Sequence, residues 1–103
     1  MEPRIAKCLL LSKVLAADGI MTENERVFLD AAMKKHGVTD EERRGIHNLE
    51  GWDEAESALI GAPEEEKRAI VSSLVDAASA DGRLSPLEMA MVKRISKALG
   101  LES

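Results

Sequence analysis

One unit of sequence occurs twice in this chain of 103 residues. Ala17-Asp18-Gly19-Ile20-Met21-Thr22-Glu23-Asn24-Glu25 returns 63 positions later as Ala80-Asp81-Gly82-Arg83-Leu84-Ser85-Pro86-Leu87-Glu88. The correspondence runs on, with Lys34 and Gly37 recurring as Lys97 and Gly100, and Leu29 and Val38 meeting Val92 and Leu101. An apolar stretch precedes each copy. Each half therefore reads as a buried helix, a tight corner and an amphipathic helix. Such a unit cannot cover its own apolar face, so two copies are expected to pack on each other about a pseudo-two-fold axis. A chain this long holds one core, giving a single domain with halves of about residues 3–50 and 51–103.

The spacing of apolar residues predicts helices throughout, and nothing alternates with the period of a strand. The first helix is expected from about Pro3 to Ala17, where Ile5, Cys8, Leu9, Leu11 and Leu15 leave few polar positions. The second starts at Thr22, carries Val27, Phe28, Leu29, Ala32 and Met33, and stops at Gly37 after Lys34, Lys35 and His36. A polar third helix runs from Thr39 to about Leu49. Gly51 and Gly61 bracket a short fourth, with Asp53 as its expected N-cap. Pro63 and three glutamates open the fifth, which extends to Ala80, and the sixth runs from Pro86 to Gly100. The fold class is all-α, with about six or seven helices. Aromatic content of 2% fits this, because sheets favour aromatic and β-branched residues.

Composition excludes several functions. The net charge of -5 disfavours a grip on nucleic acid, whose affinity rests on cations set against phosphates. Lys93, Arg94 and Lys97 on the last helix are read as complements to its dipole. Cys8 is the only cysteine, so no intrachain disulfide can form, as suits a reducing cytoplasm. His36 and His47 have no second cysteine to complete a zinc site. Lys13 and Asp18 cut the first apolar segment far short of the roughly 20 residues that span a bilayer, so no direct membrane insertion is expected.

The corner itself divides into parts. Gly19 and Gly82 follow a helix end, where a left-handed conformation favours glycine. Thr22 with Glu25, and Ser85 with Glu88, have the S/T-x-x-E spacing of a capping box, with Met21 and Leu84 as inward plugs. Asp18 and Asp81 are different, because an anion at a helix C-terminus opposes the dipole. Two explanations stand: each aspartate accepts N–H groups of its corner, or both share a cation with the glutamates. An EF-hand is excluded, since Val14 and Ala16, and Ala77 and Ser79, occupy the positions where that loop needs carboxylates.

Two A-D-G-x-[apolar]-[S/T]-x-x-E corners, each followed by an amphipathic helix that ends in Gly and an apolar residue, resemble the tellurite-resistance TerB family. The N-terminal domain of a membrane-anchored DnaJ-like co-chaperone is in the same broad group. The resemblance implies a pseudo-symmetric helical domain and an acidic cluster for a divalent cation where the corners approach. Carried over by position, that cluster is Asp18, Glu25, Asp81 and Glu88. Hard oxygen ligands of this kind suit calcium, magnesium or manganese over zinc. These 103 residues contain no J domain, and the connection from Gly51 to Gly61 is short.

The expected function is a non-enzymatic module that binds a protein partner and a divalent cation in a stress-response or membrane-associated assembly. The alternative is a structural domain that forms a homo-oligomer or scaffold, with corners that serve folding alone. Trp52 is either a contact residue or a lid on the core. Catalysis is not expected, because no nucleophile has a base in evident reach.

Overall fold

The computed structural model describes residues 2–17, 19, 21–48, 51–79 and 85–101, and only the backbone of Trp52. Six α-helices follow in order: α1 Pro3–Leu15, α2 Glu23–Lys35, α3 Asp40–His47, α4 Trp52–Ile60, α5 Glu64–Ala78 and α6 Pro86–Ala98. No strand occurs among the described residues. The repeat is visible in these bounds. Moving α2 forward by 63 positions gives the limits of α6, and the last residue of α1 moves onto the last residue of α5.

α1 is the axis of the fold and packs against every other helix. Its sequence requires this, since a helix with Leu9, Leu10, Val14 and Leu15 on successive faces has no side to give to water. Each of these four is 1% exposed or less. Fully burying such a side chain contributes roughly 1.5–3 kcal/mol. Cys8 joins this core, where burial pushes its thiol up to about 11 and keeps it protonated and unreactive at neutral pH. The other helices turn one stripe inward: Leu29 and Met33 from α2, Ile46 from α3, Ala55 and Leu59 from α4, Ile70, Leu74 and Ala77 from α5, and Val92 and Ile95 from α6.

α2 and α6 end in the same way. Val38 N–H donates to the Met33 carbonyl and Gly37 N–H to that of Lys34. Leu101 and Gly100 repeat the pair on Ser96 and Lys97. This is the Schellman ending, and it places Gly37 at φ +66° and Gly100 at φ +82°. Lys67 adds a tie in the second half, its Nζ donating to the carbonyls of Ile60 at 3.2 Å and Leu99 at 2.9 Å. One α5 side chain thereby satisfies the C-terminal ends of α4 and α6.

Three local expectations change. Asp53 is not the N-cap of α4: Gly51, at φ +74°, takes that place, so the helix starts at Trp52 and Asp53 falls in its first turn. Val27 faces outward at 61% exposure, since the α2 stripe runs through Leu29 and Met33 instead. Met21 packs on the core but is only half-buried. Its counterpart Leu84 lies outside the described residues, as do Gly82 and Leu49.

Candidate functional site

The first corner is built by the residues that start α2. Thr22 N–H donates to Glu25 Oε1 at 2.9 Å, and Glu25 N–H donates to Thr22 Oγ1 at 3.2 Å. The capping box is complete, and it satisfies two donors that a helix start leaves open. It uses only one carboxylate oxygen. Glu25 is 1% exposed, and its Oε2 is buried with no hydrogen-bond partner among the described residues. An unsatisfied buried polar atom costs about 1–3 kcal/mol, and more when it is charged.

A second capping box shows what the first one lacks. Thr39 N–H donates to Glu42 Oε1 at 2.9 Å, and Glu42 N–H donates to Thr39 Oγ1 at 3.1 Å. Here Arg4 forks onto the carboxylate, with its two guanidinium nitrogens 3.1 and 2.9 Å from Oε1 and Oε2. That fork, with the Thr39 N–H, holds the Glu42 carboxyl below its usual range. The geometry of the two boxes is nearly equal. Among the described residues, the Glu42 carboxylate has a cation and the Glu25 carboxylate does not.

The second corner departs from expectation. Ser85 stands at the N-cap of α6, but its side chain makes no cap hydrogen bond. Pro86 at the first helical position supplies the reason. A residue before proline is pushed to ψ of about +120 to +160°. Ser85 has ψ 134°, whereas the two capping threonines stand at 164° and 166°. The reciprocal box is therefore not formed. Glu88 is nonetheless 3% exposed, buried like Glu25 at the matching place in the repeat. Its burial does not come from the Ser85 hydroxyl.

Of the four carboxylates the sequence points to, Glu25 and Glu88 are buried. Asp18 and Asp81 lie outside the described residues. Among the described residues, no three His, Cys, Asp or Glu side chains form a group that could hold a metal ion. His36 is not part of such a group. Partial burial, then Lys7, Lys35 and Arg4, lower its pKa and favour the neutral ring. No helix among the described residues is long and apolar enough to cross a membrane.

The helices, the two Schellman endings and the paired buried glutamates define one repeated design across the whole chain. A family model described as Tellurite resistance protein TerB matches residues 4–103. The chain belongs to the TerB family. No curated protein and no solved structure matches it. The TerB match takes in both corners, including the stretch from Ala80 to Leu84. The capping box at Thr39 goes beyond the sequence expectations. Its signal is present as Thr39-Asp40-Glu41-Glu42, but it has no copy 63 residues on, where Glu102 stands.

Proposed function

We propose that this TerB domain is a non-catalytic binding module that docks onto a protein partner and holds one divalent cation between its corners. Glu25 and Glu88 supply carboxylate oxygens from the starts of α2 and α6, and Asp18 and Asp81 complete the set. The observation that carries this reading is Glu25 Oε2, a buried acceptor with no hydrogen-bond partner among the described residues. A charge in that position calls for a counter-ion, as Arg4 supplies to Glu42. Calcium, magnesium and manganese suit an all-carboxylate set. The setting proposed is a stress-response or membrane-associated assembly.

Calorimetric titration of each ion into the wild type and into Asp18→Asn/Asp81→Asn tests the ion site. Heats of one-to-one binding in the wild type, lost in the double variant, are expected. Equal heats in both proteins, or none in either, would end the metal reading.

A second reading has its own support in the completed Thr22 box, which is a folding device whatever else it does. On that reading the domain is an oligomerisation scaffold, and its outward apolar side chains Val27 and Leu87 are contact residues. Light scattering after size exclusion separates the two. A dimer that survives Asp18→Asn and dissociates with Val27→Glu or Leu87→Glu would favour the scaffold.

A further inference from the structure

α1, α2 and α5 pack against one another and line a groove of about 420 Å³, with Cys8 and Leu11 of α1 at its floor. We propose that this groove binds a single-chain anionic amphiphile of the medium-chain carboxylate type, with its alkyl chain over Leu11 and Ile70 and its carboxylate at Lys35. The groove is distinct from the corner carboxylates, and the inference does not depend on the ion site.

The groove has direction. Lys7 of α1 lies 3.4 Å from Glu66 in the first turn of α5, so the starts of these helices are together. His36, which caps the end of α2, is within the electrostatic reach of Lys7 and Lys35. Lys7, Lys35, His36 and Glu66 therefore gather at one end. Further along, Leu11, Phe28, Ile70 and Leu74 make the wall and floor apolar. This is the layout of a site for a molecule with one charged end and a greasy body.

Charge selects an anion. Glu66 neutralises Lys7, while Arg4 is engaged by Glu2 and Glu42. Lys35 has no ion-pair partner among the described residues, and it stands exposed at the mouth. The net charge of -5 does not cancel this local field, because salt screens charges beyond about 10 Å.

Width selects a chain over a helix. α2 and α5 touch each other, which leaves too little space between them for a third helix of about 10–12 Å diameter. Small residues line both walls, Ala31 and Ala32 on α2 and Ala69 and Ser73 on α5, and leave room for a chain on α1. From Glu66 to Leu74 the groove follows α5 for about 12 Å, the reach of a medium-length alkyl chain.

The test is a ¹H–¹⁵N NMR titration of the full chain with sodium decanoate below its micellar concentration, against decyltrimethylammonium of the same chain length. Saturable one-to-one shifts at the amides of Leu11, Ala31, Ala69 and Ser73 are expected with decanoate alone. Lys35→Glu should weaken binding about tenfold or more, the worth of one charge-assisted contact. Ala69→Trp, at an exposed position, should fill the groove and remove binding while the protein stays folded by circular dichroism. Asp18→Asn/Asp81→Asn should bind decanoate like the wild type. Equal shifts with the cationic amphiphile, or no saturable shift with decanoate, would overturn the proposal. So would groove shifts that follow protein concentration alone, which would mark a second copy as the occupant.

Discussion

α2 and α3 begin with the same device and use it differently. At both, a threonine and a glutamate three residues later exchange hydrogen bonds. Glu42 sits at the edge of the molecule, where Arg4 reaches it through a two-pronged ion pair. Glu25 sits in the core, and its second oxygen has no hydrogen-bond partner among the described residues. Capping and the Arg4 fork together account for both oxygens of Glu42. For Glu25 capping accounts for one oxygen. The α6 start makes the point again from the other direction, since Glu88 is buried where no hydroxyl cap has formed. Burial of the repeated glutamates is thus separable from helix capping, and it is the burial that suggests binding.

Substitutions can break or sharpen this contrast. The largest effect is expected from Leu29→Ala, which removes the fully buried anchor that holds α2, and Glu25 with it, in the core. Urea denaturation should show a loss of about 2–5 kcal/mol. A loss under 1 kcal/mol would mean that α2 is held some other way. Next, Glu25→Gln keeps a capping acceptor and removes the buried charge. In the absence of divalent ions it should leave stability unchanged or raise it by up to about 1–3 kcal/mol, whereas a clear loss would show that the charge is already compensated.

Thr22→Ala should cost about 0.5–2 kcal/mol, because it opens a formed box. Ser85→Ala at the equivalent place should cost only a few tenths, since no cap bond is lost. Equal costs would erase the difference between the corners. The smallest effect belongs to the half-buried Arg4–Glu42 pair. Glu42 has a lowered folded pKa, so its contribution is present at neutral pH and fades as pH falls through the carboxylate range toward that lowered value. Acid titration of stability should be slightly flatter in Glu42→Gln, and an unchanged profile would show that the Arg4 pair contributes nothing measurable.

The fold was legible because its signals are local and doubled. Gly37 and Gly100 stop α2 and α6, Pro63 and Pro86 start α5 and α6, and the apolar run from Ile5 to Leu15 leaves α1 no exposed side. What failed to show in the sequence depends on competition between neighbours. Ser85 has the right spacing to cap, but Pro86 sets its backbone angle. Asp53 is a good N-cap by type, yet Gly51 reaches a left-handed conformation two residues earlier and starts the helix. The groove beside Lys35 was not readable at all, because it arises from how α2 and α5 sit across α1. Of the candidate cluster, Glu25 and Glu88 stand at equivalent positions of the sequence repeat, but nothing in the spacing said that both are buried.

The central claim, that the two repeated glutamates face one shared cation, is tested most directly by paramagnetic broadening with Mn²⁺. Substoichiometric Mn²⁺ added to ¹⁵N-labelled protein should broaden the amides around Glu25 and Glu88 together, at the same ion ratio, and leave those of α3 sharp. Broadening at one corner alone, or at neither, would contradict it.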